Sequence, residues 1–234
     1  MSFNDFSAES PQNYSQKSIC CFVVDVSGSM SGEPINTLNQ SLQGFHREVG
    51  SNSTTADRLE VAVVTFDSNV ETVQPPALVS AFTMPVLHTK GSTALVDGVR
   101  EAIRLVDNRK NWYKQTGQPY LRPWIILITD GAPDRGQDVH NLANEIENDT
   151  KGKKYVFLPV GVQGADMNVL SQISGYTQGE DKDWVKMSPM ALQGLKFDDF
   201  FKWVSASMDI VAGSKEGDKV NLPQPTNWMK GFDI

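Results

Sequence analysis

The sequence predicts an α/β fold: a doubly wound, mostly parallel central sheet with one short antiparallel edge strand and helices on both faces. Three observations predict it. Apolar runs alternate along the chain with segments whose apolar residues recur at steps of three and four, the pattern of strand–helix units. The two strongest runs, residues 19–24 (ICCFVV) and 124–129 (WIILIT), are apolar on both faces, as strands covered by helices on two sides must be. Each run is followed at once by an aspartate, Asp25 and Asp130, at the strand ends where such sheets build their sites.

The elements follow in order. After the first run comes the loop DVSGSMSG, and Pro34 stands where a first helical residue is tolerated. Ile35, Leu38, Leu42, Phe45 and Val49 then stripe one face of a helix. Residues 59–66 (LEVAVVTF) form a strand, and 69–73 alternate as an antiparallel edge strand is expected to. From Thr93 a helix carries Leu95, Val99, Ala102, Ile103 and Val106 on one face. The run 124–129 is the second central strand, and Val139, Leu142 and Ile146 mark the next helix. Residues 155–160 predict a strand, 166–174 a short helix, and 184–187 the last strand. Phe197, Phe200, Phe201, Val204 and Met208 stripe a final helix. The expected organisation is a flexible arm over residues 1–17, one domain over 18–212, and a polar tail over 213–234 forming a strap or loose end.

Bulk properties limit the function classes. The 234 residues are 39% hydrophobic and 21% charged, ordinary values for a globular chain able to bury its own core. A formal net charge of −7 argues against a nucleic-acid or anionic-membrane surface, which needs excess Lys and Arg. No apolar run is long enough to span a bilayer, and the polar first 17 residues lack the apolar core of a secretion signal, so a cytoplasmic location is expected. Cys20 and Cys21 are neighbours in a strand and point to opposite faces; two buried, reduced thiols are expected.

The chemistry gathers on three loops. Two carboxylates at the ends of the two most buried strands repel unless a cation or a proton intervenes. Around Asp25, the spacing of Ser27 and Ser29 lets a gently turning loop aim all three oxygens one way, with Gly28 allowing a tight bend. The loop KGSTAL, before the helix at Leu95, brings Thr93 to the same sheet edge, although its hydroxyls are equally suited to capping that helix. Carboxylates and hydroxyls are hard ligands that suit Mg²⁺ or Mn²⁺, Ca²⁺ less well, and offer nothing soft for zinc. Asp134 is either part of an acidic rim or a turn or cap residue before Val139. Asp67 and Asp97 fit a turn and a first helical turn. His46, His88 and His140 show no pattern for metal or base work, and Met30 suits contact or packing equally.

DVSGSM at Asp25, the threonine of GSTAL at Thr93 and ITDG at Asp130 together resemble the motif set of von Willebrand factor A domains, and the surrounding strand–helix pattern fits that family over most of the chain. DVSGSMSGEPI, TDGAPD and FFKWVSASM are further similar to the bacterial, tellurium-resistance-associated TerY-like group. The family resemblance implies a metal-ion-dependent adhesion site held by Asp25, Ser27, Ser29, Thr93 and Asp130. It implies a non-enzymatic module whose divalent cation binds a Glu or Asp of a partner protein. The TerY-like resemblance implies a bacterial stress or tellurite-resistance setting, with phosphatase- or kinase-like proteins as partners. Two alternatives stand beside it. One is a Mg²⁺-dependent phosphohydrolase of haloacid-dehalogenase type, which needs a second Asp where this chain has Ser27. The other is a scaffold with a purely structural metal. A serine hydrolase is disfavoured by the absence of a GxSxG elbow.

Overall fold

The computed structural model describes residue 6 and residues 9–179, 181–215, 218 and 220–225. β1 (Ser18–Asp25), β2 (Leu59–Phe66), β4 (Trp124–Thr129) and β5 (Val156–Gly161) are parallel; β3 (Val70–Leu78) pairs antiparallel with β2. The helices are α1 (Glu33–Ser51), α2 (Ser53–Arg58), α3 (Leu95–Thr116), α4 (Val139–Lys151), α5 (Met167–Gln172) and α6 (Phe197–Gly213). β6 (Tyr176–Gln178), β7 (Trp184–Lys186) and β8 (Met190–Ala191) complete the list. The main sheet has the order β3-β2-β1-β4-β5-β8.

The strand periodicity of two divides the core cleanly. Cys20, Phe22 and Val24 face a layer built by α1 and α6, where Phe22 meets Phe45 and Phe201 edge-on at 5.2 and 5.4 Å. Ile19, Cys21 and Val23 face the other layer, built by α3, α4 and α5. Both thiols are fully buried and free, and burial raises their pKa values. Met30, His46 and the aromatics of α6 are structural. Met30 lies in the first layer with no exposure, and the His46 ring packs on Phe82 while its Nε2 meets the Val79 carbonyl at 3.0 Å.

The structure departs from expectation in four places. Residues 184–187 are not the last strand of the main sheet. Trp184–Lys186 pairs antiparallel with Tyr176–Gln178 in a separate two-stranded sheet, and the main sheet ends on β8, only two residues long. The antiparallel edge strand runs to Leu78 despite Pro75 and Pro76, which an edge strand tolerates because its outer N–H groups need no partner. α2 lacked any apolar stripe; it forms because Asn52 caps it, accepting from the Thr54 and Thr55 amides at 3.1 and 3.3 Å. The described part of the expected flexible arm is docked. Phe6 is buried, Glu9 binds Arg109 at 2.6 Å, and Lys17 is buried just before β1 with its pKa lowered by desolvation. Residues 1–5, 7 and 8 lie outside the described residues.

In the tail, the Trp203 indole donates to the Pro223 carbonyl at 2.6 Å, and Leu222 packs on the first layer. Residues 216, 217, 219 and 226–234 lie outside the described residues. Among the described residues no helix is long and apolar enough to cross a membrane.

Candidate metal site

Strand order reverses at β1: its chain neighbour β2 lies on one side and β4 on the other, so the loops leaving β1 and β4 part and open a crevice between them. Asp25 closes the floor of that crevice with no exposure. Its carboxylate accepts from the Ser27 amide at 2.8 Å and from the Thr129 hydroxyl at 2.5 Å. Burial raises its pKa, the hydrogen bonds from Ser27 and Thr129 pull the other way, and the charge of Asp130 adds to the rise.

From this floor the oxygens climb outward. Ser27 Oγ lies 3.0 Å from Ser29 Oγ, and Ser29 Oγ donates to Asp130 Oδ1 at 2.8 Å. Ser27 is buried, Asp130 half-buried and Ser29 exposed. A short 3₁₀ turn over Gly28–Met30, rather than an extended loop, brings Ser29 round beside Ser27. Thr93 arrives from the third loop: a Cβ on Gly131 would stand 3.5 Å from Thr93 Oγ1 and 3.6 Å from Asp25 Oδ2. The five residues read from the sequence therefore converge on one crevice. The set holds two carboxylates and three hydroxyls. Among the described residues no cluster of three or more His, Cys, Asp or Glu side chains is arranged for a metal. The donor chemistry fits a hard divalent cation that leaves ligand positions to other groups.

The model of the von Willebrand factor type A domain matches residues 20–187. This chain belongs to that family. Three solved structures share its fold. The pilus adhesin SpaC from Lactobacillus rhamnosus GG is 13% identical with a TM-score of 0.61, covering 86% of this chain and 32% of its own. A von Willebrand factor type A protein from Catenulispora acidiphila is 17% identical with a TM-score of 0.56, covering 83% and 43%. Proximal thread matrix protein 1 from the mussel byssus, with a zinc-occupied MIDAS motif, is 19% identical with a TM-score of 0.52, covering 86% and 47%. The chain thus spans less than half the length of each of these structures. No curated protein matches the sequence.

In this type A domain the site is held by supports that the sequence did not mark. Thr129, the last residue of β4, fixes Asp25. Asp134 is neither a helix cap nor part of the oxygen cluster; Asp138 caps α4 by accepting from the Asn141 amide. Asp134 instead clamps the third loop, accepting from Ser92 Oγ at 2.6 Å and the Thr93 amide at 3.1 Å, while its own amide donates to the Thr93 carbonyl at 3.0 Å. Asp67 is a turn residue, as expected: its side chain accepts from the Asn69 amide, and its carbonyl from the Ala94 amide at 2.7 Å. Asp97, in the first turn of α3, accepts from Gln137 Nε2 at 3.2 Å and takes no part in the cluster.

The glycine that the site requires is Gly91 rather than Gly28. A Cβ on Gly28 has its nearest neighbour at 3.6 Å, whereas Gly91 has φ +69° and a Cβ there would stand 2.6 Å from Ser68 Oγ and 3.0 Å from the Ser68 amide nitrogen. Gly91→Ala is expected to cost about 1–3 kcal/mol in urea unfolding, because the left-handed backbone and the Ser68 backbone cannot both be kept. Gly28→Ala is the matched control and is expected to change stability by under about 1 kcal/mol, the effect of an unstrained helical-turn substitution. Equal losses at the two positions would remove the special role of Gly91.

Proposed function

We propose that this type A domain is a non-enzymatic, metal-dependent protein-binding module. Asp25, Ser27, Ser29, Thr93 and Asp130 would hold Mg²⁺ or Mn²⁺, either directly or through water. The bound cation would supply an open position for a Glu or Asp carboxylate of a partner protein. The observation that carries this reading is the gradient of exposure across one hydrogen-bonded oxygen cluster: Asp25 is sealed, and Ser29 stands in solvent beside Asp130. A purely structural metal has no use for an exposed face. Two carboxylates and three hydroxyls offer at most five ligands to an octahedral cation, so at least one position is left to water, which a partner carboxylate can replace. The mussel protein's zinc-occupied motif supports metal binding at a site of this class, and the pilus adhesin supports use of the fold in adhesion. Hard oxygen donors favour Mg²⁺ or Mn²⁺ over zinc here.

Ser27 supports binding over phosphoryl transfer. It stands two residues after Asp25 and hydrogen-bonds to Ser29, and a hydroxyl has no pKa suited to the acid–base step of a phosphatase. The motif likeness to the TerY-like group supports a cytoplasmic role in a bacterial stress or tellurite-resistance system, with a phosphatase- or kinase-like protein as the partner.

The test is capture from native-cell extract on immobilised full chain. Partner retained in Mg²⁺ and released by EDTA is expected for the wild type, and no retention for Asp25→Ala. Asp25→Ala also leaves the Ser27 amide and Thr129 hydroxyl without an acceptor, so the exposed Ser29→Ala is run in parallel as the milder lesion. Undiminished capture by both variants would sink the metal bridge.

A further inference from the structure

At the other end of the sheet, by the amino ends of β4 and β5, lies a half-open groove of about 1080 Å³. Its floor is apolar: half-buried Leu121, Val156, Met187 and Leu222 line it over the buried Trp124 and Trp203, and the exposed Val185 and Val220 stand at its margin. Its rim is cationic. Among the described residues seven Lys and Arg side chains line the groove against one carboxylate, Asp218, in a chain whose net charge is −7. Two of the seven are already neutralised, Lys110 by Asp107 and Lys154 by Asp149, each at 2.6 Å.

The other five are Lys114, Arg122, Lys153, Lys186 and Lys215, and none of them has an ion-pair partner among the described residues. Lys153 Nζ donates to the Gln178 amide oxygen and Lys186 Nζ to the Gln172 carbonyl, while the charge of Lys186 is felt by Glu147 without a direct ion pair. The groove walls partly desolvate the Arg122 guanidinium and lower its pKa, and no carboxylate opposes this. Guanidinium so placed matches carboxylate geometry with two parallel hydrogen bonds. Tyr176 adds an aromatic wall, with the Lys186 ammonium 5.7 Å from its ring centre.

We propose that this groove docks an acidic, amphipathic peptide segment of a partner protein, its aromatic or aliphatic side chains on the floor and its carboxylates on the five free cations. Charge complementarity selects this occupant. The chain's own last residues, 226–234, carry one Lys and one Asp and cannot neutralise five cations. The floor favours a peptide over a polynucleotide, since it offers half-buried aliphatic surface below the charges rather than a continuous basic track or open stacking rings. Placement at the opposite end of the sheet from Asp25 makes this docking independent of the metal.

The experiment selects random dodecapeptides displayed on phage against the immobilised full chain in EDTA, which silences the metal site. Expected winners alternate Asp or Glu with aromatic or aliphatic residues. A fluorescein-labelled winner is then titrated by anisotropy against wild type, Asp25→Ala and the triple variant Arg122→Glu, Lys153→Glu, Lys186→Glu. Asp25→Ala is expected to bind as wild type, and the triple variant roughly tenfold or more weakly, with the wild-type affinity falling as salt rises. The three substituted side chains are at the surface, so an unchanged melting temperature is expected; Arg122→Gln alone gives the same reading should the triple variant melt early. Winners without acidic enrichment overturn the proposal, as does undiminished binding to the charge-reversed variant. So does tighter binding of labelled oligothymidine, or a concentration-dependent dimer in which a second copy fills the groove.

Discussion

Mg²⁺ at about a hundred times its dissociation constant is expected to stabilise the wild-type chain by ~2.7 kcal/mol, a rise in melting temperature of roughly 5–11 °C for a domain of this size. The source of the effect is visible in the charges of the cluster. Asp25 is sealed from water beside Asp130, and burial together with that neighbouring charge raises its pKa. A cation between them removes the repulsion and restores the solvation that burial took away. Ser29→Ala is expected to lose most of the rise with little change in EDTA, because Ser29 is exposed and its deletion removes one oxygen and one hydrogen bond to Asp130. Asp130→Asn separates metal binding from folding by sign. It keeps an acceptor for Ser29 but deletes a charge facing Asp25, so in EDTA it is expected to melt at or above the wild-type temperature, and Mg²⁺ is expected to raise it no further. A full rise retained in both variants would put the metal somewhere other than this cluster.

The parts of this molecule that were legible in the sequence are those whose signal is local. β1 and β4 announce themselves because both faces are buried, so the runs at residues 19–24 and 124–128 are wholly apolar. Asp25, Ser27 and Ser29 share one loop, and their two-residue spacing is visible without coordinates. Thr93 and Asp130 required the alternation of elements to be read correctly, so that three loops share one sheet edge. What escaped was set by partners distant in sequence. Thr129 looks like one more β-branched strand residue until its hydroxyl is seen on Asp25, 104 residues away. Asp134 does open a turn, its carbonyl accepting from the Gln137 amide, but its clamp on the third loop was hidden because its partners, Ser92 and Thr93, sit far away in sequence. β8 is two residues long and exists only by pairing with Val160 and Gly161, so no periodicity can reveal it. The β6–β7 hairpin drew Trp184–Lys186 away from the main sheet for the same reason: pairing, not composition, chose its neighbour.

Arg109→Leu is expected to cost about 3–5 kcal/mol, lowering the melting temperature by roughly 6–20 °C, more than any other single substitution considered for this chain. The sequence held half of the clue: Glu60 is the one charge in the strand LEVAVVTF, and it is 2% exposed. Arg109, on the buried face of α3, answers it with two parallel hydrogen bonds, Nε to Oε2 and Nη2 to Oε1, both 2.7 Å. Tyr113 donates a third bond to the same carboxylate at 2.7 Å. The guanidinium also lies 4.1 Å from the Trp112 ring centre and 4.8 Å from that of Phe6, and its Nη1 holds Glu9. Burial works against its charge, but the bonds and charge of Glu60 outweigh this and raise its pKa. Removing Arg109 therefore leaves the buried Glu60 carboxyl with Tyr113 as its remaining side-chain donor, and releases the N-terminal segment at Phe6 and Glu9. Glu60→Leu alone strands the guanidinium in turn. The double variant removes both members of the pair and leaves the buried Lys17 with Asp57 as its nearby opposite charge, so it is expected to be more stable than Arg109→Leu alone, with a coupling of about 1–3 kcal/mol in a double-mutant cycle. Arg109→Lys separates charge from shape: an ammonium keeps the ion pair but not the fork or the stacking on Trp112, and an intermediate loss is expected. Strict additivity of the two single losses would mean that packing, not pairing, is what Arg109 contributes.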